Sequence, residues 1–448
     1  MIKNKKMFDK FFKILQNKDI RKKLLQIFLI LIIFRVLAHL PLPGINLNAL
    51  NNLFQSNQLL GIVNLLSGSG LKSFSIVALG VGPYITASII IQLLMVIVPK
   101  LERLSQEGEF GQKKIDSYTR FLTVPFAILQ GYGTIALLSR AGTGIISGLT
   151  PLHILFLVTV LTAGTMLLMW MGELISEKKI GNGMSWIIFA GIIASSLSGV
   201  GQLIATYEPS QFLSILLYVV VSFIVIVGVV FITESQRNIP VIYARQFRDG
   251  KSFGNNMSYL PIRVNQVGMI PIIFAASIVT IPSVMSQYLA TMHSNNRILD
   301  LMYKGALMFS DQKVYAVFYF IMVILFTFFY TSLVFKADKI SENLNKQGAY
   351  VPGIRPGKET ENYLNSVSSR IVLLGALFLG IVAVMPIVTQ IVFGGKNLMI
   401  GGASLLIVVG VIMETLKQLE AYSVQNDYED KYSDYSLVKM DASKEIAK

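Results

Sequence analysis

The chain contains no cysteine, which excludes disulfides, a thiolate nucleophile and cysteine-held zinc. Histidine is almost as scarce, and His39, His153 and His293 lie too far apart to form a ligand pattern. Charged residues are sparse as well, at 14% of 448 residues, and they avoid the long apolar runs. Within those runs stand Arg35, toward the outer half of its run, and Glu173 and Glu414, toward the cytoplasmic ends of theirs. A charge at the bilayer centre costs roughly 2.5–3.5 kcal/mol on insertion scales, so ion-coupled transporters display clear midplane carboxylates. Their scarcity argues against an inverted-repeat secondary transporter of a small solute, the main rival reading. A membrane enzyme would need clustered His, Asp or Glu at membrane depth, and these are also missing. Gly250-Lys251-Ser252 lacks the first glycine of a phosphate loop, Arg245 standing in its place. Ser69-Gly-Leu-Lys72 fits a Ser-x-x-Lys pattern without its partner motifs. The sequence offers no catalytic, cofactor or metal site.

What the chain does have is apolar length. Hydrophobic residues make up 53% of it and the mean hydropathy is +0.60, too high for a soluble protein of this size. Uncharged runs of about 20 residues read as membrane spans. Ten are expected, at about 24–40, 73–98, 119–138, 152–174, 184–205, 212–232, 266–289, 314–335, 370–392 and 398–419. The net charge of +14 lies between the spans, which marks orientation and attraction to anionic lipid rather than direct DNA binding. Lysines and arginines crowd the loops assigned to the cytoplasm, placing both termini on that side.

Residues 1–23 are strongly basic, with Met7, Phe8, Phe11, Phe12 and Leu15 on one helical face, and read as an amphipathic segment on the cytoplasmic leaflet. The first span ends in Pro41-Leu-Pro-Gly44 with no Ala-x-Ala cleavage site, so it reads as a retained span. Ten spans divide into halves 24–205 and 206–420. An odd number per half starts the second on the opposite side, so related halves would be inverted and share a site between them. The expected fold is therefore an all-α multi-pass membrane protein, ten helices in two inverted halves around a central pore. Two long cytoplasmic loops, 233–265 and 336–369, and a flexible tail, 421–448, complete the layout.

The second span is the least ordinary. Ser73 to Val98 carries no charge, yet Gly80-Val-Gly-Pro-Tyr84 interrupts it with two glycines and a proline. Proline removes a backbone donor and clashes with the preceding turn, so the span should break or kink near Pro83. Broken helices at membrane depth survive where protein or a water-filled cavity satisfies the freed backbone groups. This span is therefore expected to line a cavity, with the short glycine-rich piece Gly61 to Gly70 folded nearby.

Phe74 to Leu94 resembles the second helix of the SecY family of protein-conducting channels, and Asn64-Leu-Leu-Ser-Gly-Ser-Gly-Leu71 resembles that family's plug. Glu107-Gly-Glu-Phe-Gly-Gln-Lys-Lys-Ile115, Gly181-Asn-Gly-Met-Ser185, Val351-Pro-Gly-Ile-Arg-Pro-Gly357 and Gly401-Gly-Ala-Ser-Leu-Leu-Ile407 resemble further signatures, so the likeness covers nearly the whole chain. It implies outward passage of unfolded secretory polypeptides and sideways release of membrane helices, in a bacterial plasma membrane or a plastid membrane. The implied partners are SecE-like and SecG-like small membrane subunits, the SecA ATPase motor, ribosomes and signal-bearing polypeptides. By position, the resemblance places a pore ring at Val81, Ile85, Ile188, Ile273 and Ile407. It places the plug at about 61–72, centred on Asn64, Leu65, Leu66, Ser67, Gly68, Ser69 and Gly70. A lateral gate follows from spans 2 and 7, presenting Thr86, Ser88 and Gln92 against Asn265, Ser277 and Thr280. Arg245, Arg248, Lys251, Arg355, Pro356 and Gly357 would meet the motor or the ribosome.

Overall fold

In the computed structural model the described residues are 17–50, 70–71, 73–140, 150–205, 209, 212–243, 247–248, 251–252, 257–268, 270–279, 311–393 and 404–421. Helix occupies part of each of the ten expected spans. Spans 1 to 6 are Lys18–Leu37, Gly82–Ile97, Glu109–Arg140, Pro151–Ser176, Gly183–Ala205 and Phe212–Glu234. Spans 7 to 10 are Ile270–Val279, Gln312–Val334, Lys358–Phe393 and 404–421.

Several boundaries move, each for a local reason. Asn17 caps span 1, its side chain accepting from the Asp19 amide at 2.9 Å, so this helix starts within the segment assigned to the interface. Span 3 starts at Glu109, directly after Gly108 turns the chain at φ +70°, ten residues before the expected start. Span 9 starts at Lys358, after Gly357 at φ +96°. The second long loop therefore ends at Gly357, and residues 358–369, expected in that loop, are helical.

Side chains from nine of the ten spans pack into one apolar cluster, with Phe34, Val81, Leu168, Ile188, Val225, Ile273, Val323, Leu379 and Ile407 among its members. The outward faces carry large apolar side chains in the open. Span 6 presents Phe212, Leu213, Phe223, Ile224 and Phe231, each more than half exposed. In water this would be a large aggregation surface; against lipid tails it is the required solvent contact.

The two long loops contain the departure from helix. β1 (Gln236–Tyr243) pairs antiparallel with β4 (Met257–Arg263), Gln236 opposite Arg263. On its other edge β1 pairs with β5 (Ala349–Tyr350) from the second loop, so the two loops share a sheet in the order β4-β1-β5. A short helix, Ala337–Lys346, covers one side of it. Ile239, Val241, Ile262, Leu344, Ala349, Val351, Leu364 and Val367 form the small core beneath. Beyond β1 lies a two-stranded tip, β2 (Phe247–Arg248) and β3 (Lys251–Ser252).

Candidate functional site

Span 2 is not kinked; it is replaced by turns up to Val81. Helix begins at Gly82, with Pro83 in its first turn, where a missing amide donor costs nothing. The preceding residues 73–81 run through tight turns, with Phe74 at φ +40° and Gly80 at φ +59°. Their backbone groups are satisfied by neighbouring protein, as membrane depth requires. The Ile76 amide donates to Leu40 O (3.2 Å), the Leu42 amide to Phe74 O (3.1 Å), and Pro41 bridges Ser75. Ser73 Oγ donates to Ala38 O at 2.7 Å. Ser75 and Ile76 are thereby fastened to the outer end of span 1.

Span 4 closes on the same turns. A Cβ on Gly164 would stand 2.0 Å from Ile76 O, so glycine alone lets that helix lie against the backbone. Phe74, Ala78 and Leu79 pack with Ile135 of span 3 and Leu157 and Leu161 of span 4, and Leu50 and Leu71 join the same cluster. Of the expected plug, Gly70 is described: it is buried, and its carbonyl accepts from the Ser75 amide at 3.0 Å. Asn64, Leu65, Leu66, Ser67, Gly68 and Ser69 lie outside the described residues.

Val81, Ile188, Ile273 and Ile407 are all buried, with exposures of 2, 3, 8 and 2%, and Ile85 packs against them in the large central cluster. They reach it from spans 2, 5, 7 and 10. Ile188 is set by the start of span 5. There Asn182 Oδ1 accepts from the Met184 amide (3.0 Å), and a Cβ on Gly183 would come within 1.7 Å of Gly172 O. Gly181, at φ +79°, donates its amide to Gln418 Oε1 of span 10, which ties the two halves together below this level.

The seam between spans 2 and 7 has a different lining from the one expected. Thr86 Oγ1 accepts from Gln130 Nε2 of span 3 at 3.3 Å, so it faces away from span 7. Ser88 Oγ accepts from Gln92 Nε2 at 3.1 Å within its own helix. Asn265 Oδ1 accepts from the Gly268 amide (2.9 Å), and Ser277 Oγ donates to Ile273 O (2.9 Å). Thr280 lies outside the described residues. Gln92 crosses the seam, but to span 8, where Tyr330 Oη donates to its carbonyl oxygen. Around that contact Ile89, Val267, Phe274 and Tyr330 form an apolar plate with Ile85, Leu93 and Phe326 at its edge. Phe274 meets Tyr330 edge-on at 5.4 Å between ring centroids. Tyr330, Phe274 and Phe326 were not legible as seam residues, because aromatics at helical spacing read as ordinary core. The available signal was Phe326 and Tyr330, one turn apart near the cytoplasmic end of span 8.

The ionisable residues in the spans differ in their partners. Glu173 pairs with Arg120 of span 3 at 2.6 Å. Glu414 Oε1 accepts from Gln418 Nε2 at 3.4 Å. Arg35 Nη1 is buried with no hydrogen-bond partner among the described residues.

Arg355 stands exposed at the tip of a braced turn in the second long loop. Thr360 Oγ1 donates to Arg355 O (2.9 Å) and Ser341 Oγ to Gly357 O (2.7 Å), while Gly353 at φ +80° and Gly357 permit the bend. Val351 anchors the turn in the loop core. Pro356 is exposed beside Arg355. Arg248 and Lys251 sit opposite each other in the β2–β3 tip, whereas Arg245 lies outside the described residues.

Comparison with known proteins agrees with this architecture. The SecY family model matches residues 75–416. The protein translocase subunit SecY of Mycobacterium bovis is 40% identical over 440 residues, covering 94% of this chain and 99% of its own length. A solved SecY structure, described in terms of a plug domain that stabilises the closed state of the translocation channel and maintains a membrane seal, aligns with a TM-score of 0.62 at 17% identity, covering 88% of this chain and 91% of its own. A channel in a canine ribosome–channel complex from the endoplasmic reticulum aligns at 0.58 and 16%, covering 89% and 91%. With the family model spanning most of the chain and a relative this similar end to end, the chain belongs to the SecY family.

Proposed function

We propose that this chain is the channel subunit of a Sec translocon, passing unfolded secretory polypeptides across the membrane and releasing transmembrane helices sideways into lipid. The observation that carries the reading is the meeting of Val81, Ile188, Ile273 and Ile407 in one apolar cluster, beside a span that is broken at membrane depth. Branched aliphatic side chains offer a moving polypeptide no hydrogen bonds to hold it. Around an empty waist they close and exclude water. The seal matters, because each unit charge crossing 100 mV carries about 2.3 kcal/mol. The family comparison gives no support to a small-solute transporter.

The channel itself hydrolyses nothing. Energy comes from a SecA-type ATPase, from the membrane potential or from synthesis on the ribosome. SecE-like and SecG-like subunits complete the complex, and the basic cytoplasmic face also attracts anionic lipid. The membrane is a bacterial plasma membrane, with both termini in the cytoplasm. Residues 64–70 serve as the plug. The plate around Phe274 and Tyr330 is where the side exit closes.

Two experiments test the assignments. In proteoliposomes with motor and secretory precursor, Arg355→Glu is expected to lower ATP-driven translocation about tenfold, at unchanged abundance and unchanged binding of the small subunit. A charge reversal at an exposed tip alters an interface without disturbing the fold, since surface substitutions fall within about ±0.5 kcal/mol. Normal translocation at normal abundance removes Arg355 from the motor contact. Deletion of residues 64–70 is expected to raise resting ion conductance while largely sparing translocation. A resting channel as tight as the parent reduces these residues to an ordinary connection.

A further inference from the structure

The last turn of span 10 touches both halves of the chain through two neighbouring residues. Lys417 Nζ lies 2.8 Å from Glu234 Oε1 at the end of span 6. Gln418 Oε1 accepts from the Gly181 amide, in the turn between spans 4 and 5. Glu234 stands at the root of the loop sheet. β1 starts at Gln236, and the Val264 amide, just past β4, donates to Ser235 O at 2.9 Å. Gly181 stands at the root of span 5, which carries Ile188 into the central cluster. One helix end thus lies between the sheet and a residue of the expected ring.

The turn that Gln418 holds is stiff. Ile180 is fully buried, and its carbonyl accepts from Trp186 Nε1 at 3.1 Å. The Gly183 amide donates to Ser176 Oγ at 2.9 Å, and a Cβ on Gly181 would stand 2.6 Å from Trp186 Nε1. A segment bonded and packed in this way passes a displacement on instead of absorbing it. Gly183 to Ile188 is then a single stretch of helix with a rise of about 7.5 Å.

We propose that Lys417 and Gln418 are positioning residues that carry movement of the loop sheet to Ile188. The proposal rests on the reading of the sheet as a docking surface for the motor and of Ile188 as part of the waist. Docking that shifts the root of β1 acts on span 10 through the Lys417–Glu234 pair, and Gln418 passes the shift to Gly181 and span 5. The ring, closed or open, is the two-state element that both ends bias. The two links differ in strength. The Gly181 amide is partly buried and is left unpaired when its acceptor is removed. The ion pair has side-chain exposures of 32% for Lys417 and 51% for Glu234, so it contributes less and weakens with salt.

The test uses the full chain with its small membrane partners in vesicles. It reads maleimide alkylation of single cysteines with and without a SecA-type ATPase held by a non-hydrolysable ATP analogue. Ile188→Cys reports the ring position on this route; Val81→Cys reports one that span 2 carries and the route does not touch. The chain has no native cysteine, so each signal comes from one site. In the parent, bound motor is expected to raise the alkylation rate about tenfold at both positions, since thiol reactivity follows exposure. With Gln418→Leu the rise is expected to persist at Val81→Cys and to fall below about twofold at Ile188→Cys, at unchanged motor affinity. Gln418→Glu combined with Glu414→Gln keeps an acceptor facing the Gly181 amide and a hydrogen bond along span 10, and is expected to restore the rise. Lys417→Glu is expected to reduce the rise at Ile188→Cys about twofold at low salt and less at high salt, and adding Glu234→Lys to restore it. A full rise at Ile188→Cys in Gln418→Leu overturns the relay. Loss of the rise at both cysteines, or loss of motor binding, also overturns it and makes Gln418 a merely structural residue. No rise at either cysteine in the parent with motor bound overturns the reading of the ring, and the relay with it. A reversed ion pair that fails to restore the rise removes Lys417 from the route.

Discussion

Gly164→Ala is expected to destabilise the channel severely, although alanine is the better helix former by about 1 kcal/mol. The added Cβ would lie 2.0 Å from Ile76 O and 3.3 Å from the Ile76 side chain. Those atoms cannot retreat cheaply, because the Ile76 amide is bonded to Leu40 O and Pro41 bridges Ser75. Overpacking of this kind costs about 1–3 kcal/mol, and more where backbone must move. Gly133→Ala is the matched control, since nothing lies within 4 Å of the atom it adds. Thermal unfolding in mild detergent should show a clear loss for Gly164→Ala and no loss for Gly133→Ala. Equal melting of the two variants would mean that span 4 does not rest on this backbone. The damage should also spread to the resting seal, because Gly70, Phe74 and Ala78 share the turns that Gly164 supports.

Stapling the seam is expected to abolish lateral insertion. The chain has no native cysteine, so a thiol cross-linker can act only on introduced pairs. Leu93→Cys with Phe326→Cys places one thiol on span 2 and the other on span 8, both at the edge of the plate around Phe274. A short bismaleimide joining them should lower membrane insertion of signal-bearing chains more than tenfold, since a helix about 10 Å across cannot pass a joined seam. The unlinked double variant serves as the baseline, and a long flexible linker should block less. Complete linkage with normal insertion would place the exit elsewhere.

Much of this architecture was legible from hydropathy because each span must satisfy its own backbone in lipid and so needs a long uncharged run. Gly80-Val-Gly-Pro-Tyr84 likewise announced a break, through the known behaviour of proline and glycine. The loop sheet was not legible. β5 contributes two residues and β2 and β3 two each, too short for any alternation to show, and β5 reaches β1 from a loop about a hundred residues further along the chain. The rotation of a helix about its axis was also hidden. Thr86 and Gln92 both read as seam residues, yet Thr86 turns to Gln130 and Gln92 to Tyr330. An apolar helix in lipid carries no polar stripe to fix its facing, so its orientation comes from neighbours the sequence does not name. The signature glycines were legible as a pattern, but their cause was not. Gly183 is required because a Cβ there would stand 1.7 Å from Gly172 O, and Gly164, for which the sequence carried no sign, because a Cβ there would stand 2.0 Å from Ile76 O.

The fastening of residues 40–42 to 74–76 changes how resealing must work. Leu50 and Leu71, on either side of residues 51–69, are buried in the same apolar cluster. The two anchors on either side of that stretch are thus held at one place. On the proposed plug role of residues 64–70, whatever displaces them competes with an occupant tethered at both ends, not with one that must be recaptured from solution. Return is first order in channel, independent of any partner, and driven by the effective concentration a short tether imposes, on the order of millimolar for flexible linkers. Each doubling of such a loop costs only about 0.6 kcal/mol in closure entropy, so its length is weakly constrained while its two anchor points are not.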